Sequence, residues 1–248
     1  SSRIELNVEY GVSDQFSVEL DIPFVGFHGG FLDAPIEMVH QIAGFPYASR
    51  AMLQQNTSHI YLKGEQNELF LTSEKLNGTG IGDIVLSAKG QLINSTKHRF
   101  ALSSRIGIKL PTGDYHQLQG SGSFDYGLDL TATKGLGRGF ISTSLSGVIP
   151  GKWILLPEVQ IQPSYSWIMT YEYLWGRNLS LILQNRIQSS YFNDEIHSEM
   201  SKPIFEWTAG LKYDIGSGFR LSFAITENYL HHNNTADFGF HLGLSRIF

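Results

Sequence analysis

The carboxyl-terminal stretch "FGFHLGLSRIF", residues 238–248, alternates between apolar side chains and small or polar ones. Successive residues of a β-strand point to opposite faces of the sheet. One face of such a strand would carry Phe238, Phe240, Leu242, Leu244 and Phe248, and the other would carry Gly239, His241, Gly243 and Ser245. This period of two predicts a β-strand with one apolar face.

The same alternation recurs along the chain, for example in "FALSSRIGIKL" (100–110), "FDYGLDLTAT" (124–133) and "IFEWTAGLKYD" (204–214). In each segment an apolar face opposes a face with charged or hydroxyl side chains. The pattern predicts about eleven strands, near residues 3–12, 16–27, 81–93, 99–110, 124–136, 140–149, 159–174, 179–192, 204–214, 219–230 and 238–248.

The connections between these strands fall into two length classes. Short turns such as "VSDQ" (12–15), "GRG" (137–139) and "GSG" (216–218) alternate with long segments such as "DYHQLQGSGS" (114–123) and residues 29–80. Short turns at one end and long loops at the other are typical of bacterial outer-membrane barrels, whose turns lie in the periplasm. "SHIYLKGEQNELFLTSEK" (58–75) suits a hairpin within the longest loop better than a part of the wall.

Aromatic side chains support a membrane-facing surface. The outward phase of residues 165–175 carries Tyr165, Trp167, Met169, Tyr171, Tyr173 and Trp175. Tyr165 and Tyr173 would be separated by roughly 26 Å along a strand, or about 20 Å after a tilt of ~40°, which is close to the height of an apolar band between two aromatic girdles.

Composition excludes several other classes. The chain has 248 residues, 42% of them hydrophobic and 17% charged, with a net charge of −5 and no cysteine. No run reaches the roughly 18 apolar residues of a spanning helix, so a helical membrane protein is excluded. The absence of cysteine excludes disulfides and thiolate metal sites. The acidic balance without basic runs argues against nucleic acid as a partner.

The predicted fold is all-β, a transmembrane antiparallel up-and-down β-barrel that occupies residues 1–248 as a single domain. Single-chain bacterial barrels have an even number of strands. The turn after the first strand is short and so would lie in the periplasm, which means that the first strand runs toward the periplasm. The last strand runs in the same direction. We therefore expect one further strand and a secretion signal upstream of Ser1, giving about twelve strands in the full protein and about eleven in this chain.

Two resemblances agree with this interpretation. The last strand resembles the signal read by the outer-membrane assembly machinery, through Phe240, Leu242, Leu244 and Phe248, although Arg246 departs from that pattern. The motifs at residues 29–46, 78–92 and 106–136 resemble the outer-membrane family catalogued as domain of unknown function 3187. The family resemblance implies the fold and the outer membrane as location, and it transfers no catalytic residue. Expected partners are outer-membrane lipid, lipopolysaccharide, the assembly machinery and other envelope proteins.

Charged residues of both signs fall on the inward faces, where they would line the lumen. They are Glu5, Glu9, Glu19, Asp21, Asp83, Lys89, Arg105, Lys109, Asp125, Asp129, Glu172, Arg186, Glu206, Lys212 and Arg220. Arg105 and Lys109 lie on the strand next to Asp125 and Asp129, which predicts cross-strand ion pairs. The charges suit a hydrated pore with an acidic bias from the first two strands, and they equally suit a network that fills and braces the interior.

A short helix is predicted near residues 33–44 of the long loop. Asp33 can cap it, Ile36, Val39 and Ile42 form an apolar stripe, and Gly44 can end it. Such a helix could constrict the lumen, rest on the membrane interface, or cover the barrel rim.

A channel for ions or small solutes, narrow or gated, is the function that these features favour. The alternatives are a closed structural barrel or membrane anchor of an envelope complex and, less favoured, an outer-membrane hydrolase. A hydrolase would need a nucleophile, a histidine and an orienting group, whereas His241 and Ser245 lie too far apart and His231–His232 chelate poorly in a strand. We predict no catalytic residue, no metal site and no cofactor.

Overall fold

Fourteen strands make up most of the part of the chain that the computed structural model describes. That part comprises residues 2–27, 34, 37–38, 59–63, 68–72, 76, 78–155, 159, 161–192, 200–230 and 238–246. The strands are β1 (Ser2–Ser13), β2 (Phe16–Gly26), β3 (His59–Lys63), β4 (Glu68–Thr72), β5 (Thr79–Ile81), β6 (Val85–Ser95), β7 (Phe100–Lys109), β8 (Asp125–Leu136), β9 (Gly139–Ile149), β10 (Ser164–Leu174), β11 (Leu179–Gln188), β12 (Ile204–Gly216), β13 (Phe219–Asn228) and β14 (Phe238–Arg246).

One twelve-stranded antiparallel sheet dominates the fold. Its path runs β1-β2-β6-β7-β8-β9-β10-β11-β12-β13-β14, and the short β5 pairs with the end of β2. Each strand of the path pairs with its neighbour in chain order, which is the up-and-down arrangement of outer-membrane barrels. The predicted all-β fold and its meander are therefore confirmed. β1 and β14 form the two edges of this sheet.

The structure corrects several predicted boundaries. The strand expected over residues 81–93 is divided, because β5 ends at Ile81 and β6 begins at Val85. The strands expected over 159–174 and 179–192 are shorter, and beyond them the bridge between Ile161 and Phe192 and a backbone hydrogen bond from Gln162 to Tyr191 join the two segments. β3 and β4 form a separate two-stranded sheet, so residues 59–63 and 68–72 form the predicted hairpin and add no strand to the wall.

Both ends of the sheet keep the predicted difference in connection length. Gly137 and Arg138 alone link β8 to β9, and Ser217 and Gly218 alone link β12 to β13. The second turn needs its glycines, since Gly216 and Gly218 have φ angles of 104° and 79°. The end with these short connections is called the turn end below, and the opposite one the loop end.

The two faces of the sheet reverse the arrangement of a soluble domain. Exposed apolar side chains cover the outward face, for example Leu145, Leu183 and Leu242. Within the described residues, Leu76 is the one buried hydrophobic side chain, whereas the buried polar ones are Asp21, Asp83, Ser87, Ser164, Gln188, Ser190 and Asn228. An apolar exterior around a polar interior is the distribution that a lipid environment requires.

Little of the described chain is helical. Ala34, Glu37 and Met38 lie in helical conformation within the segment predicted as a short helix. Asp33, Ile36, Val39 and Ile42, which carry the predicted cap and apolar stripe, lie outside the described residues. No helix in the described ranges is both long enough and apolar enough to cross a membrane.

Substituting neighbours in β11 tests the assignment of the two faces. Leu183 is 57% exposed on the outward face, whereas Gln184 faces inward and accepts a hydrogen bond from the Thr170 hydroxyl. Leu183→Arg should lower the free energy of unfolding in lipid by ~2–4 kcal/mol, because it places a charge at mid-membrane. Gln184→Arg should change it little. Denaturant titration of the barrel in vesicles measures both, and a loss from Gln184→Arg as large as or larger than that from Leu183→Arg would contradict this assignment of the faces.

Candidate functional site

An ion-pair cluster on β1, β2, β6 and β7 occupies the inward face near the middle of the wall. The Arg105 guanidinium lies 2.7 Å from a Glu19 carboxylate oxygen and 3.0 Å from one of Asp21. Asn7 donates a hydrogen bond to the other Asp21 oxygen. Lys89 lies 3.6 Å from Glu9, which also accepts a 2.6 Å hydrogen bond from the Ser17 hydroxyl. These contacts tie four strands together through inward side chains.

Arg105 does not form the predicted pair with Asp129, although the two are register partners on β7 and β8. The guanidinium instead crosses β6 to reach β2, where two carboxylates face it. Ser87 lies on β6 in this path, and its small side chain leaves the space. The prediction of an Arg105–Asp129 ion pair is therefore wrong, whereas the Lys109–Asp125 pair forms at 2.6 Å.

Lys109 is the centre of a second cluster, at the loop end. Its ammonium nitrogen lies 2.6 Å from Asp125, 3.1 Å from Asp83 and 2.5 Å from the Ser121 hydroxyl. Asp83 is only 8% exposed and accepts further hydrogen bonds from the backbone amides of Gly113 and Ser121, at 3.0 and 2.9 Å. This carboxylate therefore binds the wall lysine and the loop between β7 and β8 at the same time.

The loop over residues 110–124, called the anchored loop, lies against the inner side of the wall at its loop end. Its glycines permit this close approach. A Cβ atom on Gly120 would come within 2.2 Å of an Asp83 oxygen, and one on Gly113 within 2.6 Å of the Gln119 carbonyl oxygen. Thr112 adds a hydrogen bond to the Gly82 carbonyl group. The "KLPTGD" and "GSG" motifs therefore hold the loop in place.

The wall formed by β10–β13 carries a separate network in which charges pair one to one. Lys212 lies 2.9 Å from Glu172, Arg186 lies 3.2 Å from Glu206, and Arg220 lies 2.6 Å from Asp214. Arg186 also donates to the amide oxygen of buried Gln188. Asp214 was not among the predicted lumen residues, although its alternation with Lys212 in "LKYD" indicates the inward face.

Hydroxyl groups fill the inward face between these clusters. Cross-strand hydrogen bonds join Thr131 to Ser144, Thr133 to Ser142, and Thr208 to Thr226, at 2.5, 2.8 and 2.7 Å. Asp129 accepts from the Thr131 hydroxyl at 2.7 Å and from the Ser146 hydroxyl at 2.8 Å. The inward surface is therefore polar from β1 across to β13.

A cavity of about 550 Å³ lies on this inward surface, over β6–β9, and is called the recess. Few side-chain atoms cover its floor, because Ser87, Gly107 and Gly127 are neighbours in register. Arg105, Asp129, Lys109, Asp125 and Asp21 lie around it. Sequence reasoning did not foresee it, since the two glycines meet only through the strand register.

The remaining predicted residues fall in three places. Glu5 pairs with Arg3 at 2.8 Å on β1. Phe240, Leu242 and Leu244 are exposed on the outward face of β14. Phe248, His231 and His232 lie outside the described residues.

His241 gives no catalytic arrangement with the described side chains. Its Nε2 atom shares a 3.1 Å hydrogen bond with the Thr226 hydroxyl, and no described contact joins it to Ser245. In the described part of the chain, no three His, Asp or Glu side chains come together in a group that could hold a metal ion.

One known protein family matches nearly the whole chain. Residues 2–248 match the family described as "Protein of unknown function (DUF3187)". The chain belongs to this family. Among curated proteins, none matches the chain.

Solved structures similar to this chain are outer-membrane β-barrels. The COG4313 outer membrane channel of Pseudomonas putida F1 is 14% identical with a TM-score of 0.61, and the similarity covers 98% of this chain and 80% of that one. The toluene transporter TodX of Pseudomonas putida is 12% identical with a TM-score of 0.46, covering 90% of this chain and 62% of that one. The first similarity shows the fold, and no argument rests on the second.

Neutralising Asp83 should release the anchored loop. Asp83→Asn removes the ion pair with Lys109 and weakens hydrogen bonds to a charged group, which contribute roughly 1.5–3 kcal/mol each. Chymotrypsin should then cleave the folded protein at Tyr115 about tenfold faster or more. Glu5→Gln, which removes an inward carboxylate from an exposed pair, is the matched control and should leave the rate unchanged. Equal cleavage of all three proteins would mean that Asp83 does not hold the loop.

Proposed function

We propose that this protein is a channel in the outer membrane of a Gram-negative bacterium and that it passes ions or small solutes through its lumen. The observation that carries the proposal is the nature of the inward surface. Paired charges and hydroxyl groups line it from β1 to β13, and the cations that form these pairs remain partly exposed to solvent, for example Arg105 at 38% and Lys212 at 34%. An interior packed shut would bury such side chains.

The scarcity of buried apolar side chains supports the same proposal. Leu76 alone is a buried hydrophobic side chain within the described ranges. A lumen wall that is mostly polar suits a water-filled passage, because water satisfies the hydrogen-bonding capacity that the ion pairs leave free.

The two ends of the barrel receive different roles in this proposal. The loop end faces the cell exterior and the turn end faces the periplasm, as the lengths of the connections indicate. The anchored loop then narrows the outer mouth, because Asp83 and Lys109 hold it on the inner side of the wall. The passage is accordingly narrow at that level.

The outward face and the loop end indicate which molecules the proposed channel would contact. Its exposed apolar side chains suit contact with outer-membrane lipid, and lipopolysaccharide would meet the loop end. Phe240, Leu242 and Leu244 remain exposed on β14, where the assembly machinery would recognise the last strand.

A closed structural barrel, acting as a scaffold or as the anchor of an envelope complex, is the second candidate. The observation that favours it is the extent of pairing, since every predicted lumen charge except Asp129 forms an ion pair. Such a network braces a wall as well as it lines a pore.

Conductance of the refolded protein separates the two candidates. In planar bilayers we expect discrete current steps from the intact protein. The Asp83→Asn variant, whose loop is released, should switch more often between current levels. Boiled protein in the same detergent is the control. A complete absence of current from both the intact protein and the loop variant would refute the channel and leave the closed scaffold.

The channel should also prefer cations weakly. Arg105 and Lys109 each pair with two carboxylates and Asp129 pairs with no described cation, so negative charge is in excess on one side of the lumen. Charges along a narrow passage with low-dielectric walls focus the field. The reversal potential in a salt gradient should indicate cation selectivity at low salt. This selectivity should disappear near molar salt, where the screening length is about 3 Å. Anion preference at low salt would contradict this distribution of charge.

A further inference from the structure

We propose that the recess over β6–β9 is a binding site for small organic cations with a primary ammonium group, and that Asp129 is the carboxylate that recognises them. The inference deepens the proposed channel, because a solute would reach the recess through the lumen. The site itself is defined by geometry and charge, and ligand binding to it can be measured without recording an ionic current.

The recess owes its depth to three neighbouring positions at one level of the sheet. Ser87 on β6 is in register with Gly107 on β7, and Gly107 is in register with Gly127 on β8. These residues project little or no side chain into the lumen, whereas the levels above and below carry Lys109 with Asp125 and Arg105 with Asp129. The result is a depression of about 550 Å³ with charged residues on both sides.

The charge balance around the recess is negative. On β10–β13 each acid of the inward face has its own base. At the recess, by contrast, Arg105 serves Asp21 in the lining and Glu19 beyond it, Lys109 serves Asp125 in the lining and Asp83 beyond it, and Asp129 has no described base. Each shared base leaves one carboxylate in excess and Asp129 adds another, so three negative charges are uncompensated among the described residues. This surplus attracts a cation.

The Asp129 carboxylate is held in a fixed orientation and can still accept hydrogen bonds from a ligand. The hydroxyl groups of Thr131 and Ser146 donate to its two oxygens, one to each, and thereby fix the carboxylate plane. Each oxygen of an ionised carboxylate can accept a second hydrogen bond. Among the described residues no Lys, Arg or His side chain approaches within ion-pair distance, so an incoming ammonium group would be the first cation to contact this carboxylate.

An organic amine fits the recess better than a metal ion does. A bound divalent cation needs several oxygen ligands that converge at 2.0–2.6 Å as a typical range, and the described acidic side chains form no such group. The cavity is also far larger than one ion, and Val148 on β9 and Ile168 on β10 supply apolar surface near Asp129. An ammonium group at Asp129 with an alkyl or aryl body on this surface uses both features. A single half-buried carboxylate gives weak binding, which a channel needs if solutes are to leave again.

Equilibrium binding of three fluorinated probes tests the proposal. The full chain, refolded in a non-ionic detergent, is titrated with 4-fluorobenzylammonium, 4-fluorobenzyl alcohol and 4-fluorobenzoate, and ¹⁹F line broadening reports binding. Empty micelles give the background. The ammonium probe should bind more tightly than the alcohol, and the carboxylate should not bind. Equal affinities for the three probes would overturn the proposal.

Three variants locate the site. Asp129→Asn keeps the size of the side chain and removes its charge, so the affinity for the ammonium probe should fall about tenfold or more, as expected for a charge-assisted hydrogen bond. Gly127→Val should weaken binding without changing any charge, because a Cβ atom there meets only the Gly147 carbonyl oxygen, at 4.0 Å, and the larger side chain enters the recess. Glu172→Gln removes a lumen carboxylate that lies outside the recess, and it should change the affinity less than about twofold.

The folded state of each variant is checked by its heat-dependent migration on a gel, and only folded protein is titrated. Unchanged affinity in both Asp129→Asn and Gly127→Val would refute the site. A loss in Glu172→Gln as large as that in Asp129→Asn would also refute it, because the effect would then come from the net charge of the lumen. Binding without any bilayer current would reject the channel and keep the recess, whereas current without binding would reject the recess and keep the channel.

Discussion

Hydrogen bonding between neighbouring backbones is the constraint on which the rest of this structure depends. Inside a bilayer no water satisfies the amide and carbonyl groups, so each strand must pair along its length with the next. Along the path from β1 to β14, each strand pairs with the next in antiparallel ladders. Once the register is fixed, the side chains at each level of the lumen are fixed as well, because a shift by one residue would turn the polar face of a strand toward lipid.

The inward charges follow from this register and from the cost of leaving a charge unpaired. Removing one partner of a buried pair is strongly destabilising, and nearly all the predicted lumen charges among the described residues have a partner. Side-chain reach then selects the partner. The long side chain of Arg105 passes Ser87 and contacts two carboxylates on β2, whereas Asp129 accepts hydrogen bonds from short hydroxyl side chains and has no described cation.

Much of this arrangement can be predicted from the sequence, and the rest depends on contacts between distant segments. The period of two identifies the wall strands and the parity of the charged residues, because both are local properties. The partner of Arg105 cannot be read in this way, since it depends on the small side chain of Ser87 on another strand. The anchored loop depends on Asp83, which lies about thirty residues away from Gly113 in sequence and meets it only in the folded protein. The recess likewise exists because Gly107 and Gly127 share one level of the sheet.

The surplus of negative charge, the recess and the anchored loop all lie on the same side of the lumen, and Lys109 joins them. Its ammonium group contacts Ser121 in the loop, Asp83 below the loop and Asp125 at the edge of the recess. The position of the loop therefore affects how much of the positive charge of Lys109 is available to Asp125. A cation that enters from the loop end meets the loop first and the recess next. The two features act in series along β6–β8, and the wall of β10–β13, where inward charges pair one to one, offers no comparable excess of negative charge on the inward face of its described residues.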